Sequence, residues 1–283
     1  MHLGSLLAAV GSFVDARSHG GRWLVRMEDL DRARVVPGSA DEILRTLEVH
    51  GLLWDGEVEY QSRRTHLYAD ALESLCAAGH TFECSCSRRE LSTEDSGYPG
   101  TCREGPQKAG DTAIRFRVDE MQTVAFDDRL QGPVSLAMGK LGDVIVRRRD
   151  GVFAYQLAVV VDDALQGVTD VVRGADLLES TGWQIALQRA SSLRTPRYAH
   201  LPLLLEDAGG KLSKSRRSTA LDAGRTGAQM LQVLRLLGLS PPAELVGAAP
   251  ATLLEWATRR WRQQPPRQSR EIILPRTLSL EGT

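Results

Sequence analysis

The chain has 283 residues, 42% hydrophobic and 25% charged, the make-up of a globular protein with a full core rather than a disordered or fibrous one. Its 35 Lys and Arg nearly balance 36 Asp and Glu, which excludes a bulk polycation; an RNA partner would have to be met by local basic patches. No run approaches the ~18 apolar residues of a membrane span, and Met1-His2-Leu3-Gly4-Ser5 lacks the basic start of a secretory signal, so a cytoplasmic location is expected.

Leu3, Leu6, Leu7, Val10, Phe13 and Val14 recur at helical spacing and predict an amphipathic helix over 4–18, ended by Gly20-Gly21. Residues 22–27 read as a strand. A second helix is predicted through 40–47 with Ser39 as N-cap, and a third over 64–79, with Cys76 packed in the core beside Leu72 and Leu75. This helix–strand–helix alternation is that of an α/β layer. From Thr81 to Gly110 the periodicity fades, and three cysteines, four glycines and two prolines appear. Segments 112–118 and 143–149 alternate like antiparallel strands; helical or buried-strand patterns return at 153–161 and 176–190. Ala208-Gly209-Gly210 opens a loop, and a helix from about Gly227 to Leu237 is placed to end at Gly238. Residues 225–283 hold eight Arg and four Glu, a local net of +4 around Trp256 and Trp261. A final amphipathic helix with both tryptophans in the core is favoured over a base-stacking surface.

Two short motifs suit phosphate chemistry. His2-Leu3-Gly4-Ser5 begins the first helix, where free N–H groups and the partial positive charge favour anions, and where glycine allows close approach. Lys211-Leu212-Ser213-Lys214-Ser215 follows the Gly-Gly loop and could neutralise charge as pyrophosphate leaves. Alone, each is an ordinary helix start or a solvated basic loop. Together, in this order, they resemble the "HIGH" and "KMSKS" sequences of class I aminoacyl-tRNA synthetases. That resemblance implies a Rossmann-like α/β catalytic domain, with ATP and Mg²⁺ as substrate. His2, Gly4, Ser5, Lys211, Ser213 and Lys214 would bind ATP, and His2 and Lys214 would be catalytic.

Arg26-Met27-Glu28-Asp29-Leu30-Asp31, Phe153–Asp163 and Gly167–Leu177 resemble the glutamyl and glutaminyl group of that class. By this resemblance Glu28 helps hold the amino acid's ammonium, while Tyr155 and Arg173 line a glutamate pocket. A guanidinium is a natural bidentate partner for a carboxylate.

Cys84, Cys86, Tyr98 and Cys102 follow the pattern C-x-C-x11-Y-x3-C. With four cysteines and no export signal, a metal site is a better use of these thiols than a disulfide framework. Three thiolates in a short glycine-rich loop can close around one structural Zn²⁺; the fourth position could go to a Tyr98 phenolate, water or another side chain. The spacing resembles that of glutamyl-queuosine tRNA(Asp) synthetases, a bacterial family paralogous to glutamyl-tRNA synthetase that lacks its anticodon-binding half. Only 68 residues follow Ser215, in keeping with that choice. The resemblance implies activation of glutamate without tRNA and its esterification to queuosine in the anticodon loop of tRNA(Asp); a monomer is the default expectation. The alternatives are a truncated glutamyl-tRNA synthetase and an inactive, zinc-stabilised RNA-binding paralogue.

The resulting plan places the first half of the catalytic domain in 1–75 and an inserted acceptor-binding region with the zinc loop in 76–150. The second catalytic half occupies 151–195, with the KMSKS-like loop and a helical segment in 196–283. The family also has a strand before the HIGH motif, reading approximately R-F-A-P-S-P-T-G. That strand is absent ahead of His2, and a misassigned start is the favoured reading.

Overall fold

A computed structural model describes residues 1–91, 97–206, 221–263 and 269–274. Helix α1 (Leu3–Ser18) buries Leu6, Leu7, Val10, Phe13 and Val14, as its periodicity predicts. Gly20 ends it at φ +68°, and Gly21 N–H returns to Ala16 O, a left-handed cap that glycine adopts without steric cost. Strand β1 is shorter than expected (Arg26–Met27) and pairs in parallel with β2 (Glu59–Tyr60). Helix α2 (Ser39–Val49) lies between them. Its N-cap is Gly38, at φ +80°, and no side chain caps it; the expected Ser39 is instead the first helical residue.

Helix α3 (Thr65–Ala77) buries Tyr68, Leu72 and Leu75. Cys76, expected in the core, is exposed and accepts a hydrogen bond from the Thr81 hydroxyl at 2.9 Å. One residue beyond Leu75 is a turn of about 100° around the helix, which carries it off the 68–72–75 stripe. After β3 (Thr81–Cys84) and the short α4 (Arg88–Leu91) comes β4 (Ala113–Phe116). A hairpin follows, β5 (Thr123–Asp128) and β6 (Gly132–Ala137), then α5 (Met138–Leu141) and β7 (Val144–Arg147). The expected antiparallel strands 112–118 and 143–149 are β4 and β7, which form one sheet in the order β3-β4-β7.

Helix α6 (Tyr155–Leu165) leads to β8 (Asp170–Gly174), α7 (Ser180–Ala190) and β9 (Arg197–Leu201), a parallel β-α-β unit. A second sheet runs β6-β5-β9-β8, so part of segment 76–150 extends the same sheet as β8. Beyond β10 (Leu203–Glu206) come α8 (Thr226–Leu236) and α9 (Pro250–Trp261); β11 (Glu271–Leu274), unanticipated, pairs in parallel with β10. Gly238 sits just past α8 at φ +87°, as expected.

One core joins α1, α8 and α9; another joins α3, α6 and α7 to β4, β5 and β7. Trp261 is buried and Trp256 packs against the first core, as favoured from the sequence. Among the described residues β1 pairs only with β2, and β8 is an edge strand pairing only with β9. A groove of about 790 Å³ lies between residues 22–28 and 166–173, floored by α1. No helix among the described residues is long and apolar enough to cross a membrane.

Candidate active site and metal loop

The inner part of the groove gathers two guanidiniums and two carboxylates with Tyr155. Arg173 projects from β8. Its Nη1 donates to Tyr155 Oη at 3.1 Å, Nη2 to Thr181 Oγ1 at 2.9 Å and to Leu177 O at 3.3 Å, and Nε to His200 Nε2 at 3.3 Å. These four bonds leave one Nη1 hydrogen unengaged by the described residues. Arg26 donates to Asp163 Oδ1 at 2.5 Å and to Gln166 Oε1 at 2.9 Å, while its buried Nη1 has no hydrogen-bond partner among the described residues. Next door, Asp162 is fully enclosed and accepts from Gln61, Arg64 and Tyr68, which ties α6 to the start of α3.

Glu28 opens onto the groove but has protein on its remaining sides. Burial pushes its carboxyl above the usual range, with Arg26 and Arg173 pulling down and Asp163 pushing up. Asp163 is raised by burial to about 6, against the pull of Arg26. Burial likewise raises Tyr155, so it is a neutral O–H donor at physiological pH. The pocket therefore pairs donors for a carboxylate with acidic groups for an ammonium, the inventory an amino acid requires.

A smaller cavity of about 200 Å³ lies at the C-terminal end of β8, lined by His2, Gly4, Ser5, Gly174, Asp176 and Leu203. His2 is the N-cap of α1: its Nδ1 accepts from Ser5 N at 3.2 Å, and Nε2 lies 2.9 Å from Ser5 Oγ. The free N–H groups of a helix start thus face a pocket, a setting for phosphate. The predicted His2, Gly4 and Ser5 come together here, and Glu28, Tyr155 and Arg173 in the groove. Lys211, Ser213 and Lys214 lie outside the described residues.

Cys84, Cys86 and Cys102 bring their sulfurs within 4.8 Å of one another. Tyr98 Oη lies 3.4 Å from Cys84 Sγ and 3.8 Å from Cys86 Sγ, and accepts the Cys102 N–H at 2.8 Å. Three soft donors and a phenol converging in a small core around Phe82 fit a tetrahedral Zn²⁺. Burial alone would raise the Cys102 thiol; hydrogen bonds from Tyr98 and from the Ser85 and Gln107 backbone outweigh it and bring it down to about 6. Burial and Cys102 push Cys86 up to about 11, and burial raises Tyr98 as well, so both stay protonated at neutral pH unless a bound cation draws off their protons.

Arg26, Asp128, Asp163, Thr181 and His200 were not singled out from the sequence. Arg26 and Asp163 lie inside the quoted motifs, and the available signal was Arg26 two residues before Glu28 and the adjacent Asp162-Asp163 pair. A lone His on an apolar strand offers none.

The chain matches the model for class I tRNA synthetases (E and Q), catalytic domain, over residues 1–248. It is 52% identical to a glutamyl-Q tRNA(Asp) synthetase of Ectopseudomonas mendocina over 262 residues, 92% of this chain and 89% of that protein. It is 51% identical to one of Dechloromonas aromatica over 286 residues, 97% of this chain and 94% of that protein. Among solved structures it is similar to a glutamate-tRNA synthetase from Elizabethkingia anophelis, with a TM-score of 0.80 at 21% identity; the match covers 99% of this chain and 66% of that one. A glutamate tRNA ligase from Elizabethkingia meningosepticum, in complex with its amino acid, gives 0.74 at 22%, covering 90% and 62%. The chain thus spans about two thirds or less of the solved structures it resembles, and at these identities they establish the fold alone.

Proposed function

The chain belongs to the class I synthetase family of the glutamate and glutamine enzymes, in its glutamyl-Q tRNA(Asp) synthetase branch, and we propose that it activates glutamate with ATP and Mg²⁺, without tRNA, and esterifies it to queuosine in the anticodon loop of tRNA(Asp). One observation carries this reading. The amino-acid groove and the helix-start cavity share α1 and β8 as walls, and the adjacent residues Arg173 and Gly174 line one and the other.

In this arrangement the free Arg173 Nη1–H and the Tyr155 O–H hold the side-chain carboxylate of glutamate, two donors in place of the bidentate guanidinium expected from the sequence. Glu28 faces the ammonium. The glutamate α-carboxylate then attacks the α-phosphorus of ATP, forming the acyl-phosphate bond as the bond to pyrophosphate breaks. His2 and the first N–H groups of α1 stabilise the phosphate charge that develops, aided by Lys214. In the second half-reaction a cyclopentenediol hydroxyl of queuosine attacks the acyl carbon, loses its proton, and AMP leaves. Cys84, Cys86, Cys102 and Tyr98 would hold the zinc, which clips the loop into a fixed shape outside the reacting centre.

Glutamate-dependent ATP–pyrophosphate exchange without tRNA, followed by labelling with radioactive glutamate, tests this reading. Exchange without tRNA, with label entering only queuosine-containing tRNA(Asp), is the expected result. Label on the 3′ end of tRNA, or exchange that requires tRNA, overturns it.

A further inference from the structure

Three adjacent strands carry a line of polar side chains through the core. In the sheet order β5-β9-β8, Asp128 pairs with Tyr198, and His200 stands opposite Arg173 in the β8–β9 register. Asp128 and His200 are completely buried side chains, joined Oδ2 to Nδ1 at 2.5 Å. A buried carboxylate needs a full set of hydrogen-bond partners, because its desolvation is costly. Here the partners are complete. Asp128 Oδ1 accepts the backbone N–H groups of Leu130, Gln131 and His200 at 3.0, 2.8 and 3.1 Å. Those bonds and His200 outweigh burial and keep the carboxylate ionised.

The bonding pattern assigns the imidazole tautomer. Arg173 has only donors, so His200 Nε2, which receives Arg173 Nε–H, must be an acceptor. The ring proton is therefore on Nδ1 and is donated to Asp128. Thr181 Oγ1, 3.2 Å from the same Nε2, also accepts from Arg173 Nη2. The Arg173 guanidinium is further confined over the Tyr198 ring at 5.4 Å, against which His200 stacks.

We propose that the Asp128–His200 pair is a positioning device: Asp128 fixes the Nδ1–H tautomer of His200, and the resulting Nε2 lone pair aims Arg173 at the side-chain carboxylate of glutamate. The proposal rests on the reading of Arg173 as a glutamate ligand. It explains why the guanidinium spends its Nε–H and both Nη2 hydrogens on protein and leaves an Nη1 hydrogen for the substrate. An arginine held on its Nε side presents one fixed edge, which is what selection by side-chain carboxylate requires.

Isosteric variants separate aiming from support. In Asp128→Asn the amide oxygen retains the three backbone N–H groups, so the amide N–H₂ faces His200 Nδ1. This forces the opposite tautomer and points Nε2–H at Arg173. The same logic, an Asn imposing the wrong tautomer on a catalytic His, is a worked case among serine proteases. Because Asp128 also organises the β5–β6 turn, a second pair keeps it intact. His200→Asn can keep a donor to Asp128 but loses the acceptor for Arg173; His200→Gln places an acceptor where Nε2 stood.

The test is KM for glutamate and for ATP in the exchange reaction, with thermal melting alongside. Asp128→Asn and His200→Asn are expected to raise KM for glutamate about tenfold or more, the scale of one charge-assisted hydrogen bond. KM for ATP should stay within about twofold, and His200→Gln should recover most of the glutamate affinity. Equal glutamate KM values for His200→Asn and His200→Gln, or parallel rises for both substrates, overturn the positioning role. Arg173→Ala is the control on the underlying reading. A raised glutamate KM there with no change in the Asp128 and His200 variants sinks only the positioning device, whereas an unchanged KM in Arg173→Ala sinks the assignment of Arg173 itself.

Discussion

A methyl group added at Gly4 would lie 3.2 Å from Cε1 and 3.3 Å from Nδ1 of His2. The ring folds over the helix start because nothing projects from residue 4, and it caps Ser5 from there. Alanine is a better helix former than glycine by up to about 1 kcal/mol, so Gly4→Ala separates stability from function. The variant is expected to melt no lower than the parent and to lose about tenfold or more in ATP–pyrophosphate exchange at low ATP. Loss of melting temperature in step with activity would refute the steric account. At this scale short motifs in the sequence singled out residues that the structure gathers at the two cavities and in the cysteine cluster: His2 and Gly4, Glu28, Tyr155 and Arg173, and Cys84, Cys86 and Cys102. It hid Asp128, His200 and Thr181, because a network drawn across three strands has no local signature. Hydrogen-bond partners 72 residues apart, as in Asp128 and His200, meet only through strand order.

Among the elements, the contact of α1 with β9 depends on one close approach. A Cβ at Gly11 would come within 2.6 Å of Leu201 Cδ1, and Leu201, fully buried, has nowhere to move. Gly11→Ala is therefore expected to destabilise by about 1–3 kcal/mol despite its better helix propensity, as overpacked cores do. Leu201→Val, which withdraws both δ-methyls, should return part of that loss in the double variant. Denaturant unfolding of the four proteins measures the coupling, and simple additivity of the two changes would reject the contact as its cause. Helices were the legible elements: α1, α2, α3, α8 and α9 announce themselves by apolar periodicity, and α1 and α8 also by the glycines that end them. Strands were less so. The strand expected over residues 22–27 survives only as Arg26–Met27, since Trp23 and Val25 accept from Asp55 and Glu59 on one side while the other side faces the groove. β11 escaped because its partner β10 lies 68 residues earlier, Leu203 against Glu271, and pairing at that distance leaves no mark on local pattern.

Across the molecule, the activating site and the metal loop belong to different structural units. The pocket walls stand on β1, β8 and α1, whereas the cysteines hang from the β3-β4-β7 sheet with a small core of their own. A near-neutral chain must meet a polyanionic RNA by local surface, and on the proposed reading a loop clipped by a metal outside the reacting centre would serve recognition rather than bond making. Removing the metal should then divide the two half-reactions. Chelation, or Cys102→Ser with its loss of bound zinc, is expected to leave glutamate-dependent exchange within about twofold and to lower transfer to queuosine-containing tRNA(Asp) by about tenfold or more. Zinc content by elemental analysis identifies the loaded and stripped proteins, and the ratio of the two rates is the readout. Equal loss of both rates would mean that the metal supports the catalytic sheet through the β4 and β7 connections, and undiminished zinc in Cys102→Ser would remove the cysteine cluster as its site. Unequal loss would locate RNA recognition on the metal-bearing sheet and leave glutamate activation to the groove beside β8.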